Sequence, residues 1–284
     1  MAVKNEKSEY TMYRGRPLVR SGRTIYYGDP GQDYVVLMNI VSTVKDGDEE
    51  LANKIVVQCM ATDPTINPKD RIGLVGKNGA GKTTAMRMLC GLSRPTEGGG
   101  TVAGFDIVRQ SEQIKRNIGY MSQRFSLYED LKVWENIRLF GGIYGMGSRQ
   151  IAEKTDRVLR RLGFAEERNT LVSALPLGWK QKLAFSVAIF HEPRIVFLDE
   201  PTGGVDPATR RQFWELIYDA SERGITVFVT THYMDEAEYC NRVSIMVDGA
   251  IRALDTPANL KRTFDAPNMD EVFHRLAREA KRGE

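Results

Sequence analysis

Residues 76–83 read Gly-Lys-Asn-Gly-Ala-Gly-Lys-Thr, and no other stretch of the chain constrains its fold as tightly. The octapeptide fits the pattern GxxxxGK followed by Ser or Thr, with the apolar run RIGLV before it and TTAMRMLCGL after it. Strand, glycine loop, helix is the opening of a parallel α/β unit. The glycines let backbone N–H groups curl around phosphate oxygens, and the positive end of the following helix adds to the attraction. This reading makes Gly76, Asn78, Gly79, Gly81, Lys82, Thr83 and Thr84 nucleotide-binding residues. Lys82 is expected to reach the β and γ phosphates, and the Thr83 hydroxyl to ligate Mg²⁺. A chance glycine turn is the alternative, and the flanking strand and helix weigh against it.

The run IVFLDE supplies a second half of the same chemistry. Asp199, ending a buried apolar strand, is placed to hold Mg²⁺ directly or through water. Glu200 follows, where a general base would polarise an attacking water. Alone, such a strand end is an ordinary solvated terminus. Joined to the phosphate loop, it implies Mg-dependent nucleotide hydrolysis.

The rest of the chain excludes several other classes. Its 284 residues, 42% apolar and 27% charged, suit one or two globular domains with a sizeable core. A net charge of +3 without a long basic block gives no footprint for nucleic acid. Cys59, Cys90 and Cys240 are far apart and form no CxxC pair, as in a reduced cytosolic protein. The start, MAVKNEKSEY, has no apolar core, so no secretory leader is expected. No run nears the roughly 18 apolar residues of a membrane span, so the chain is expected to be soluble and to meet a membrane only through a partner.

Residues 1–70 differ in texture from residues 71–284. YVVLMNIVSTV and KIVVQCMAT read as strands joined by KDGDEELAN. Further on, Ile151, Thr155, Val158, Leu159 and Leu162 share a helical face, with Ser148 as N-cap and Gly163 as the stop. RIVFLDE and ITVFVTTH have the form of parallel strands buried on both faces. Met269, Val272, Phe273 and Leu276 repeat at helical spacing, which predicts a docked C-terminal helix.

GLVGKNGAGKTT, IGYMSQRFSLYEDLKVWENI, LPLGWKQKLA, FLDEPTGGVDP and VTTHYMDEAEYC follow one another in the order of an ATP-binding-cassette (ABC) nucleotide-binding domain. The chain resembles that family from about Arg71 to its C-terminus, including a PNMDEVF tail segment, and in form resembles the exporter branch that pairs with type-2 ABC permeases. The resemblance implies an α/β P-loop NTPase with a mainly parallel central sheet. It places the ATPase domain at 71–284 and an α-helical signature subdomain at about 124–185, after an atypical β-rich segment at 1–70. ATP and Mg²⁺ are the implied cofactors. A permease membrane subunit and a homodimer or heterodimer of ATP-binding subunits are the implied partners, on the cytoplasmic face of the cell membrane.

Residue roles follow from the same resemblance. Gln123 matches the glutamine that contacts Mg²⁺ and the attacking water, and His232 matches the γ-phosphate histidine. Asp206 in GGVD matches a loop aspartate linking two sites across a dimer. Pro176, Leu177 and Gly178 match the signature motif that meets the partner's nucleotide in trans. Phe125–Trp134 matches the groove where a permease helix docks, with core packing of Leu131 and Trp134 as the alternative.

Two departures stand out. The family stacks adenine on an aromatic residue shortly before the phosphate loop, yet from Val35 to Gly104 no Phe, Tyr, Trp or His occurs. Tyr26, Tyr27 and Tyr34 are the nearest candidates, at a spacing that fits only if the strands are rearranged. Absent stacking removes about 1–3 kcal/mol of base affinity, which predicts weak binding with poor base selectivity. A fusion, a chimera or a divergent β subdomain would all give such a segment.

The second departure is Leu175-Pro176-Leu177-Gly178-Trp179 in place of the usual Leu-Ser-Gly-Gly-Gln. The missing hydroxyl corresponds to about 1.5–3 kcal/mol, or one to two decades in rate or affinity. Proline suits a first helical turn, and Gly178 still permits close approach. A weakened site is expected, not a dead one. Two further readings stay open: a soluble ABC ATPase outside transport, and an impaired ABC-fold chimera acting as a binding module.

Overall fold

The computed structural model of the protein describes the strands at 12–13, 16–21 and 24–27 and residues 69–282, apart from Glu97 and Phe125. β1 (Met12–Tyr13), β2 (Arg16–Ser21) and β3 (Thr24–Tyr27) form an antiparallel sheet in that order. The stretches read as strands at 34–44 and 54–62 lie outside the described residues, as do Tyr34 and Cys59. Tyr26 and Tyr27 fall in β3.

The phosphate-loop unit begins with β4 (Arg71–Val75) and α1 (Lys82–Leu89), followed by the hairpin β5 (Thr101–Val102) and β6 (Phe105–Asp106). Then come α2 (Ser111–Asn117) and β7 (Ile118–Met121). A helical arm follows, made of α3 (Val133–Ile143), α4 (Ser148–Leu162) and α5 (Leu177–Ala188). The chain returns through β8 (Ile195–Asp199), α6 (Pro207–Glu222), β9 (Thr226–Thr231), β10 (Arg242–Val247) and β11 (Ala250–Asp255). It continues into α7 (Pro257–Thr263) and α8 (Met269–Arg282).

The central sheet has the order β11-β10-β4-β9-β8-β7, parallel throughout except for the β10–β11 hairpin. Its strands are apolar runs because both faces are covered. Ile72, Leu74, Phe197, Phe228 and Met246 face α1, α2 and the small hairpin. Val75, Val196, Leu198, Val227, Val229 and Ile245 face the opposite cluster, which holds α5, α6, α8 and the helical arm. Each fully buried side chain of this size contributes about 1.5–3 kcal/mol.

Local signals set the helix ends. Asp206 caps α6 by accepting from Ala208 N and Thr209 N at 3.0 Å each, with Pro207 at the first position. Gly163 ends α4 in the left-handed region at φ 71°. The N-cap of α4 is Gly147, not Ser148: the extended residue at φ −70°, ψ 148° comes one earlier, and Ser148 already starts the helix. The expected faces of α4 and α8 hold, with Ile151, Thr155, Leu159, Met269, Val272, Phe273 and Leu276 buried.

α3 approaches α4 closely at Gly141, where a β-carbon would stand 3.0 Å from Ile151. Buried Asn136 pins the segment before α3, bonding the Tyr128 N–H and carbonyl and the Lys132 carbonyl. No helix among the described residues is long and apolar enough to cross a membrane. Cys90 and Cys240 are buried and form no disulfide among the described residues.

Candidate functional site

Strand order decides which residues meet. β4, β9 and β8 are consecutive in the sheet, so the loops after them share one edge, the carboxyl end where α/β proteins bind ligands. Gly76 leaves β4 with its N–H on the Thr231 carbonyl at 3.3 Å. A β-carbon there would stand 2.4 Å from the Met246 carbonyl oxygen, so only glycine fits. Gly79 and Gly81 take φ of 85° and 97°, the conformation that turns the loop around a phosphate.

Lys82 bends back over this loop, donating to the Gly76 and Lys77 carbonyls at 2.7 and 3.0 Å. Its Nζ also lies 3.3 Å from Glu200 Oε1. Burial lowers the Lys82 pKa, and the charges of Glu200 and Asp199 oppose that shift. Thr83 Oγ1 donates to Asp199 Oδ1 at 3.1 Å, and Thr230 Oγ1 donates to the same oxygen at 2.7 Å. Burial raises the Asp199 pKa while these two hydroxyls pull it down.

Glu200 is the point of convergence. Its Oε2 accepts the Gln123 amide at 3.0 Å and faces His232 Nδ1 at 3.1 Å, while Oε1 faces Lys82. Its backbone sits in the left-handed region at φ 47°, a strained conformation worth about 1–3 kcal/mol for a non-glycine residue. The Glu200 N–H bonds both the carbonyl and the hydroxyl of Thr230, and its carbonyl accepts from Gly203 N, so neighbours hold the strain in place.

A cleft of about 380 Å³ opens here, lined by Asn78, Gly79, Gly81, Lys82, Thr83, Thr84, Gln123 and Glu200. The Thr83 hydroxyl, the Asp199 carboxylate and the Gln123 amide oxygen form a hard-oxygen donor set suited to Mg²⁺, which takes one or two protein oxygens together with phosphate and water. No cluster of three or more His, Cys, Asp or Glu able to hold a metal occurs among the described residues.

Pro176, Leu177, Gly178 and Asp206 do not line this cleft. Pro176 is the N-cap of α5 at φ −58°, ψ 152°, one residue before the first turn where proline was expected. Leu177 is 49% exposed beside it. The first amides of a helix have no intrahelical acceptor, and here they belong to Leu177 and Gly178. Gly178 abuts α6, where a β-carbon would stand 2.5 Å from Thr209 Cγ2. Gln181 donates to the Gly203 carbonyl at 3.0 Å, tying α5 to the loop after Glu200.

On the outer face of α3, Trp134, Arg138, Leu139, Gly142 and Ile143 line an open groove of about 590 Å³, with Ile143 65% exposed. Leu131 and Trp134 are half-buried and Phe125 lies outside the described residues. Sequence reasoning missed Thr230, Thr202 and Glu236. Paired hydroxyls in the otherwise apolar strand ITVFVTT were a legible signal for the first.

Together the glycine loop, the buried Asp-Glu strand end and the parallel sheet define a P-loop nucleotide-binding protein of the ABC ATPase type. The family model described as ABC transporter matches residues 60–203, and the chain belongs to that family. It is 46% identical over 209 residues to the probable multidrug ABC transporter ATP-binding protein YbhF of Escherichia coli, covering 72% of this chain and 36% of that protein. It is 33% identical over 192 residues to the linearmycin resistance ATP-binding protein LnrL of Bacillus subtilis, covering 67% of this chain and 62% of the other. The chain thus spans about a third of YbhF and somewhat under two thirds of LnrL.

Among solved structures, the ATP-binding subunit of an ABC transporter superposes with a TM-score of 0.71 at 24% identity, over 84% of this chain and 98% of that one. A dimeric ATP-binding cassette bound to ADP and Pi gives 0.67 at 24%, over 78% and 98%.

Proposed function

We propose that the protein is the ATP-binding and ATP-hydrolysing subunit of an ABC exporter, coupling Mg-ATP hydrolysis in a dimer to a separate membrane permease. The observation that carries this reading is the convergence of Lys82, Gln123 and His232 on Glu200. Lys82 and the loop amides bind the β and γ phosphates, and Thr83, Asp199 and Gln123 would hold Mg²⁺. Mg²⁺ held by these residues would supply neutralisation of the phosphate charge. Glu200 accepts the proton of the attacking water. Gln123 orients that water, and His232 donates to the γ-phosphate.

Pro176, Leu177 and Gly178 present helix amides to a nucleotide held by a second subunit, with Asp206 at the same interface. The groove on α3 receives a permease segment, which sets the protein at the inner face of the cell membrane. The names of YbhF and LnrL support an exporter role. We take residues 71–284 as the cassette, with its helical subdomain at about 124–185, and 1–70 as a separate segment. The stretch from Val35 to Gly104 without an aromatic residue supports shallow base binding, with ATP and GTP turnover within about tenfold of each other.

The test is Mg-dependent ATP turnover by the purified chain. Glu200→Gln and Lys82→Ala are each expected to lower it at least about 100-fold. Equal turnover in all three proteins would sink the reading.

A further inference from the structure

Glu236 is wholly buried in the turn Met234–Tyr239. An ionised carboxylate survives burial only when it is paired and hydrogen-bonded. Its Oε1 accepts the Thr202 hydroxyl at 2.6 Å and lies 3.6 Å from Arg210 Nε. Glu236 Oε2 and Arg210 Nε make no hydrogen bond among the described residues. The Arg210 guanidinium covers the Tyr233 ring at 3.8 Å from its centroid, and its Nη1 is 3.7 Å from Asp235 Oδ2. The Tyr233 ring lies 4.1 Å from that of His232.

These contacts join three segments that the chemistry needs in register. Thr202 follows Glu200 across buried Pro201. Tyr233 follows His232. Arg210 stands one turn into α6, with its N–H on the Asp206 carbonyl at 2.9 Å. The circuit closes where His232 faces Glu200.

An apolar residue would fill the Glu236 position with less desolvation, so packing alone does not explain a carboxylate there. The planar guanidinium suits the role because it stacks on a ring and pairs with a carboxylate at once. The 3.6 Å spacing leaves donor and acceptor capacity unused among the described residues.

We propose that Glu236 and Arg210 are positioning residues that hold His232 and Glu200 in register and link both to the Asp206 loop. The inference rests on the proposed hydrolysis at Glu200. Neither residue lines the phosphate cleft; they act through Thr202 and Tyr233.

The test measures Mg-ATP turnover over a range of ATP concentrations with the full chain. Glu236→Gln keeps the shape and removes the charge, and should lower kcat about tenfold while changing KM less than about twofold. Thr202→Val should behave likewise, and Thr202→Ser, which restores the hydroxyl, should keep the wild-type kcat. In a His232→Ala background, Glu236→Gln should add less than about a further twofold. A Glu236→Gln enzyme with unchanged kcat, or effects of Glu236→Gln and His232→Ala that multiply in full, overturns the inference. Should Glu236→Gln fail to fold, the Thr202→Val and Thr202→Ser pair decides, and equal kcat in the two overturns it.

Imidazole signals of His232, assigned by their loss in His232→Ala, give a readout independent of turnover. They should move in Thr202→Val and stay in Thr202→Ser; signals unmoved in both overturn the inference. A wild-type chain no faster than Glu200→Gln overturns the hydrolysis reading alone, and the His232 signals then decide the positioning role.

Discussion

Lys82 Nζ and Glu200 Oε1 lie 3.3 Å apart with both side chains almost completely buried. The cation expected to bind phosphate is therefore already neutralised by the carboxylate expected to act on water. Phosphate binding must trade this partner for a stronger one.

Removing the Glu200 charge should ease that exchange. Glu200→Gln is expected to bind ATP about tenfold more tightly than wild type, or ~1.4 kcal/mol, while losing turnover. Equilibrium titration with a fluorescent ATP analogue at protein concentrations that keep the chain monomeric checks this. Equal or weaker affinity would show that the pair does not oppose nucleotide.

At the head of α5, Pro176 occupies an N-cap that makes no side-chain hydrogen bond. Serine is among the preferred caps and also supplies the hydroxyl that the signature lacks. Pro176→Ser should raise stability by about 1 kcal/mol in urea unfolding. It should also raise turnover about tenfold if the lost hydroxyl limits the shared site. A gain in stability without a gain in rate would separate the two roles.

Gly178 faces a methyl group that cannot swing away cheaply, because Thr209 Oγ1 is held on Asp206 Oδ2 at 2.6 Å. Gly178→Ala should therefore destabilise the protein by about 1–3 kcal/mol. Thr209→Ser deletes the methyl and keeps the hydroxyl, so the double variant should recover most of the loss. Additive destabilisation in unfolding experiments would mean that the contact is not the cause.

His191 bonds the Ile118 carbonyl through Nε2 at 3.1 Å and stacks on Tyr144 with ring centroids 3.6 Å apart. Among the described residues Nδ1 is buried without a partner, so the ring is neutral, and burial lowers its pKa from 6.5 to about 4. The folded ring holds a proton less well than the unfolded one. Between pH 6.5 and about 4 the unfolded chain thus binds more protons, and stability falls as pH drops through that window. Above it His191 adds no pH dependence. Allowing for the ring's partial exposure, His191 should account for about 1–2 kcal/mol of acid destabilisation. Urea unfolding at pH 7 and pH 5 should show a smaller pH effect in His191→Gln than in wild type.

The phosphate loop and the Asp199-Glu200 pair were legible because each is set by a short local pattern, a glycine turn or a polar end to an apolar strand. Thr202 and Glu236 were not. Their role arises because β9 lies between β4 and β8, a neighbour relation that no local period encodes. Pro176 was read one position too deep because proline is tolerated both at a cap and in a first turn, and only the extended ψ of 152° separates the two. Ser148 misled similarly: a good capping side chain stands next to Gly147, and the extended backbone falls on the glycine. The α4 and α8 faces were readable because their 3.6-residue apolar period lies within each helix's own sequence.

Among the described residues β7 occupies the edge of the central sheet, bonded to β8 alone, and Gln123 lies two residues beyond its end. The Lys82 loop, Glu200 and His232 follow interior strands, each clamped on two sides. The site is accordingly built on unequal footings. Three of its groups are anchored in a stiff slab, while the glutamine hangs from a strand that can tilt by giving up a single ladder. That makes Gln123 the least braced member of an otherwise rigid set.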